Sequence, residues 1–146
     1  DSRTRIGAYR GIIVKPNDKE TTRAVMPDHV GDIDMQTARA AGLLLSQRSG
    51  RPAFVTVGEQ GILLCAEGSC QRVPAVPVEG EIDIVGAGDS TLAGIVSALC
   101  CGASPVEAAL IGNLVASVTI RCIGTTGTAS QEEVLEALTH WRAAHV

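Results

Sequence analysis

The sequence predicts an α/β domain of three layers, in which a mainly parallel sheet passes into an antiparallel edge meander flanked by helices. Three observations predict it. Short apolar runs bounded by Gly and Pro alternate with longer stretches of helical period. Two of those runs, 53–57 and 62–66, are separated only by a tight Gly-bearing connection. A glycine cluster, Gly86-Ala87-Gly88, opens a helical stretch. The 146 residues are 45% hydrophobic, which suits one compact domain over 1–146; a chain of this size buries roughly 68–70% of its unfolded surface.

Gly11-Ile12-Ile13-Val14 reads as a buried strand stopped by Lys15-Pro16-Asn17. A short polar helix follows from Lys19 or Glu20, and 26–33, with Pro27 and Gly31, is a surface loop. Asp34 caps a helix reaching Ser49, with Ala38, Ala41 and Leu45 on one face and Gly50 and Pro52 closing it. Ala53 to Val57 and Ile62 to Ala66 are strands, and Glu67-Gly68-Ser69 turns into a third at Gln71 to Pro74. Val76 to Glu81 is a linker. The glycine loop 83–88 opens a helix from Asp89 to Cys101. Ser104 and Pro105 start the next helix, which is apolar nearly all round and therefore buried. Gly124 to Thr128 is a second Gly/Thr loop. Ser130-Gln131-Glu132-Glu133 is a capping box for a last helix, whose Val134, Leu138 and Trp141 dock on the body.

Composition excludes several classes. A net charge of −4 and only three aromatics (Tyr9, Phe54, Trp141) argue against a nucleic-acid surface, which needs a clustered basic face and stacking rings. The longest apolar stretch, 106–123, is interrupted by Glu107, Asn113 and Arg121, so no membrane span is expected. Five cysteines cannot all pair, and Cys65, Cys70, Cys100, Cys101 and Cys122 form no C-x-x-C, so zinc is not expected. Cys100, Cys101 and Cys122 have apolar neighbours and read as small buried hydrophobes in a reducing, cytoplasmic compartment. The chain opens at Asp1 with neither Met nor a secretory leader, which reads as a piece of a longer protein.

The strongest constellation is Asp83-Ile84-Val85-Gly86-Ala87-Gly88-Asp89-Ser90. Small residues at a helix start leave backbone N–H groups uncovered, and with the helix dipole these form an anion site. Asp89 at its mouth is placed to accept a proton from a hydroxyl while the N–H groups hold a transferring phosphate. Phosphoryl transfer depends mainly on positioning and charge, so a weak base suffices. The plainer account makes Asp89 a capping residue and the glycines a tight turn. Asn17 and Glu20, one helical turn apart, can organise waters around Mg²⁺, or simply cap a helix. Thr56-x-Gly58-x-x-Gly61 joins two strands and brings backbone close to a nucleotide, or is only a hairpin connection. Asn113, polar in an apolar helix, needs a loop carbonyl or a purine as partner. There is no Gly-Lys-Ser/Thr loop; Thr91 breaks the dinucleotide fingerprint; and H-E-x-x-H is missing.

In this order, Lys15-Pro16-Asn17-x-x-Glu20, Thr56-x-Gly58-x-x-Gly61, Gly86-Ala87-Gly88-Asp89-Ser90 with Ala93-Gly94, then Asn113 and Gly124, the chain resembles the C-terminal half of a PfkB/ribokinase-family carbohydrate kinase. The resemblance runs from Asp1 to Leu138 and implies part of a ribokinase-like sandwich. It implies an ATP- and Mg²⁺-dependent kinase acting on a hydroxyl of a sugar or sugar phosphate. Asp89 would be the base, and the backbone of Gly86, Ala87 and Gly88 the anion hole. Asn17 and Glu20 would serve the Mg²⁺–phosphate network, Thr56, Gly58 and Gly61 would lie along the nucleotide, and Asn113 and Gly124 near the adenine. Asp83 matches a position associated with a monovalent cation, K⁺, in some members. Asp1-Ser2-Arg3, the Lys-Pro-Asn form and Ile84-Val85 before Gly86 are similar to the heptose-phosphate kinase-like branch.

Two departures stand out: Ile84 and Val85 replace the Thr often found before Gly86, and Thr91 replaces a common aromatic. The family's sugar-binding half, and the lid through which its members form homodimers, have no counterpart here, so the 146 residues alone are expected to be inactive. The alternative is a non-catalytic nucleotide-binding or interaction domain of the same fold, against which Asp89 speaks. A serine-hydrolase reading of Gly88-Asp89-Ser90 fails for want of an ordered base and acid. His140 and His145 lie on or after the last helix, and no Asp follows residue 89.

Overall fold

The structure is a computed structural model describing residues 2 and 4–145; Asp1 and Arg3, which carry part of the resemblance, lie outside the described residues, as does Val146. The chain divides into two compact units, residues 1–73 and 74–146.

Unit 1 begins with a 3-10 turn, Ile6–Ala8, and then helices α1 (Asp18–Val25) and α2 (Met35–Ser49). Strands β1 (Ala53–Thr56), β2 (Ile62–Ala66) and β3 (Ser69–Val73) form an antiparallel meander in the order β1-β2-β3. Asp34 caps α2 by accepting the Thr37 N–H, and Gly50 ends it in the left-handed conformation. Ala38, Ala41 and Leu45 are buried as the period requires. Gly42 lets α2 approach the sheet: a Cβ there would lie 2.6 Å from Cys65 Sγ. Ile6, Val14, Leu45, Val55, Leu63 and Cys65 make the core of this unit.

Three expectations are corrected here. Residues 11–14 do not form a buried strand; Ile12 and Ile13 are 48% and 44% exposed. The parallel part of the sheet reduces to two bridges, Val14 to Ala53 and Asn17 to Thr56. Pro16, between them, has no N–H to extend the ladder. Finally, Cys65 and Cys70 are cross-strand partners around the Glu67-Gly68 turn and are joined as a disulfide, which differs from a set of free thiols.

Unit 2 holds α3 (Ala87–Cys100), α4 (Pro105–Thr119) and α5 (Gln131–His145). α4 starts where expected, with Ser104 and Glu107 in a reciprocal capping box and Pro105 at the first position. Ser130 and Glu133 repeat the box at α5. Val134, Leu138 and Trp141 pack with Val76 and Leu114. α3 and α4 meet at two glycines: a Cβ on Gly94 would stand 3.1 Å from Gly112 Cα. Cys100 and Cys101 are exposed and Cys122 half-buried, contrary to their reading as core. The buried side of α3 is set by Thr91, Gly94 and Ile95, and residues 100 and 101 fall off that stripe.

Replacing Gly112 by Ala tests the contact. Ala improves helix propensity by about 1 kcal/mol. Its Cβ, however, would stand 2.8 Å from Ile95 Cγ1 and 3.1 Å from the Thr91 carbonyl, which is backbone and cannot yield. Overpacking costs typically about 1–3 kcal/mol, so Gly112→Ala is expected to lower stability in urea unfolding. The caps predict a pH dependence. The Ser104 hydroxyl holds Glu107 below its ordinary 4.5, and the Ser130 N–H does the same for Glu133. A carboxylate depressed in the folded state contributes fully above its unfolded pKa and is lost as pH falls through the folded one. Helix content by circular dichroism should therefore fall on acidification below about 4.5, and Glu107→Gln with Glu133→Gln should flatten the slope.

Candidate functional site

In unit 1 the structure brings together two motifs that are far apart in sequence. Asn17 bridges Thr56, and the Thr56 N–H donates to the Pro16 carbonyl at 2.9 Å, so the Lys-Pro-Asn segment lies against the end of β1. Asn17 is the N-cap of α1. Its Oδ1 accepts the Glu20 N–H at 2.7 Å, and Glu20 Oε2 accepts the Asn17 N–H at 3.0 Å. The capping arrangement is thus present in full. It uses one Glu20 oxygen and leaves the other outside the cap, which suits a water of a hydrated cation.

After Thr56 the chain makes a 3-10 turn, Gly58–Gln60, closed by Val57 N–H to the Gly61 carbonyl at 2.9 Å. Gly61 sits at φ +94° and ψ −130°, a conformation open essentially to glycine alone. Beside this turn lies a cleft of about 410 Å³ whose walls include Asp18, Asp34, Val57, Gln60 and Arg72. Arg72 Nη1 donates to Gln60 Oε1 at 2.6 Å. No sequence motif marks Gln60 or Arg72; only the pairing of β2 with β3 brings Arg72 to that end of the sheet.

In unit 2, Gly86 begins α3 at φ +81° and supplies no side-chain cap. The Ser90 N–H returns to the Gly86 carbonyl at 3.0 Å, and the Ala87 N–H donates to the Ile84 carbonyl at 3.1 Å. Of the three residues expected to form an anion hole, Ala87 therefore has its N–H turned into the loop. The first-turn N–H groups of Gly88 and Asp89 lack intrahelical acceptors by the geometry of any helix start. Asp89 is exposed in that turn.

Behind Gly86 stands the second Gly/Thr loop, where a Cβ on Gly86 would meet Thr126 Cγ2 at 3.2 Å. Thr126 carries no signal of its own in the sequence. Asp83 ties the two loops together: Oδ1 accepts the Val85 N–H and Oδ2 the Gly124 N–H, both at 2.9 Å. Val85 chiefly, then Gly124, hold its carboxyl below the ordinary 3.8. Gly124 is thus brought to Asp83. Asn113 is buried, and its Nδ2 donates to the Pro74 carbonyl at 3.0 Å, the loop-carbonyl partner of the two that the sequence leaves open. Trp141 Nε1 donates to the same carbonyl at 3.3 Å. Among the described residues no cluster of three metal-ligating side chains occurs and no helix is long and apolar enough to cross a membrane.

An uncapped helix start with an exposed carboxylate in its first turn is the arrangement by which a class of α/β proteins handles phosphate. The profile of the pfkB family of carbohydrate kinases matches residues 12–132. The chain belongs to that family. It is 34% identical over 137 residues to the bifunctional protein HldE of a Nitratiruptor species, covering 93% of this chain and 29% of that protein. With the HldE of a Caulobacter species identity is 32% over 123 residues, or 84% of this chain and 25% of that one. The chain therefore spans between a quarter and a third of the length of these curated relatives.

Among solved structures, the ribokinase of Thermotoga maritima superposes with a TM-score of 0.74 at 26% identity, over 87% of this chain and 42% of that one. The Escherichia coli phosphofructokinase-2 solved in complex with potassium gives 0.77 at 23% identity, over 94% and 43%. The fold is ribokinase-like.

Proposed function

We propose that these residues are the nucleotide-binding and catalytic part of a kinase that transfers the γ-phosphoryl of ATP to a hydroxyl of a sugar or sugar phosphate. The observation that carries this is the start of α3: Gly86 in the left-handed conformation, no side-chain cap, and Asp89 exposed in the first turn. In the proposed step the acceptor oxygen bonds to the γ-phosphorus and the bond to the β-bridging oxygen breaks, releasing ADP. The acceptor's proton passes to the Asp89 carboxylate. The N–H groups of Gly86, Gly88 and Asp89 at the start of α3 oppose the charge gathering on the phosphoryl oxygens, while that of Ala87 holds the turn.

Thr56, Gly58 and Gly61 offer backbone to the nucleotide, and Gly124 is assigned to its adenine end; Asn113, whose amide donates to the Pro74 carbonyl, supports the fold there instead. Mg²⁺ fits at Asn17 and Glu20 through water, because the capping box leaves one Glu20 oxygen outside the cap; when bound, it would neutralise phosphate charge. Potassium, held by the phosphofructokinase-2 neighbour, fits Asp83 poorly. Both of that residue's oxygens already accept backbone N–H groups, and Ile84 and Val85 bring no hydroxyl. The Lys-Pro-Asn form and Ile84-Val85 before Gly86, which are similar to the heptose-phosphate kinase-like branch, favour a phosphorylated sugar of the heptose type as acceptor. The sugar-binding half and the dimer-forming lid are assigned to sequence outside these 146 residues, so the chain alone is expected to be inactive. ATP use favours the cytoplasm.

The test is a chimera in which this chain replaces the matching 137 residues of the Nitratiruptor protein. Phosphate transfer from ATP to sugar phosphates is expected. Asp89→Asn should lower kcat by roughly 10²–10⁴-fold, the usual contribution of a general base, with binding of an ATP analogue retained. A folded chimera whose activity is the same with and without the Asp89→Asn substitution would remove the base assignment and favour a non-catalytic domain of the same fold.

A further inference from the structure

We infer that in this chain Asp83 is a clasp that fastens the phosphate-binding turn to the loop after α4 directly, without a monovalent cation. The inference rests on the kinase reading only in calling the Gly86 turn phosphate-binding; the clasp itself is geometry.

Three bonds converge on Asp83. Its N–H donates to the Ile120 carbonyl at 2.7 Å, fixing its backbone to the end of α4. Oδ1 takes the Val85 N–H and Oδ2 the Gly124 N–H, one from the residue before Gly86 and one from the second loop. Gly86 then packs on Thr126 of that loop. The two loops are thereby joined at both ends, and the turn that opens α3 is held between them.

A cation site needs oxygen lone pairs aimed at a common centre. An ionised aspartate offers about four lone-pair directions, and two of them here are filled by N–H groups arriving from opposite flanks. Those hydrogens place partial positive charge where a cation would approach. The flanking side chains add no donor: Ile84 and Val85 are 72% and 71% exposed hydrocarbon. Charge-assisted bonds from N–H to carboxylate are among the stronger ones a backbone makes. The carboxylate therefore does directly, with two bonds, what a bridging ion would do through its coordination shell.

The test uses the ¹⁵N-labelled chain, following the amide signals of Val85 and Gly124 during exchange of choline chloride for KCl at constant ionic strength. Both signals are expected to stay in place. Asp83→Ala should speed hydrogen exchange at those two amides roughly tenfold or more, the scale of a lost bond to a charged acceptor, while amides within 95–99 of α3 keep their protection. Should Asp83→Ala fail to fold, Asp83→Asn is informative, because its single acceptor oxygen can retain only one of the two bonds. A saturable shift of both signals specific to K⁺ would overturn the inference, as would unchanged exchange at both amides in a folded variant. Neither outcome depends on phosphoryl transfer, so failure of the clasp and failure of the kinase reading remain distinguishable.

Discussion

The close approach of α3 to α4 at Gly94 and Gly112 is the constraint on which the rest of unit 2 depends. A Cβ at either position would press on the facing helix, so the two helices lie backbone to backbone. With α3 fixed on α4, its first turn falls beside the loop that leaves α4, and Asp83 and Thr126 can reach across. The uncovered N–H groups at the start of α3 are a consequence of this packing as much as of the glycine at 86. A helix start is rigid only if the helix beneath it is, and here two glycines and a carboxylate hold it in place.

Unit 1 follows the same logic with different parts. Asn17 and Glu20 satisfy each other's backbone N–H groups and so define where α1 begins. The bridge from Asn17 to Thr56 then sets that helix start against the turn ending at Gly61. A capping box and a site for a hydrated cation are compatible, because the cap consumes one Glu20 oxygen. The structural account and the functional one use different atoms of the same residues.

The helices are legible in the sequence because their signals are local. Asp34, the Ser104-x-x-Glu107 box with Pro105, and Ser130-x-x-Glu133 each mark a start within one turn of chain. The meander is legible from its alternating apolar runs and glycine turns. Residues 11–14 mislead because an apolar run reports burial only when a partner strand exists, and Pro16 denies the ladder its N–H. The exposure of Cys100 and Cys101 depends on which side of α3 meets α4, which the apolar run at the end of α3 conceals. Asp83 and Gly124 each stand out in sequence, yet their bond closes an excursion of 41 residues through α3 and α4 that no local pattern records. Thr126, Gln60 and Arg72 reach their places for the same reason.

The most direct test of the central claim is calorimetric titration of this chain with a non-hydrolysable ATP analogue, with and without Mg²⁺. Every residue assigned to the nucleotide lies within the 146, so saturable binding that strengthens with Mg²⁺ is the predicted result. A chain shown to be folded that gives no binding heat under either condition would contradict the assignment of the nucleotide site to these residues.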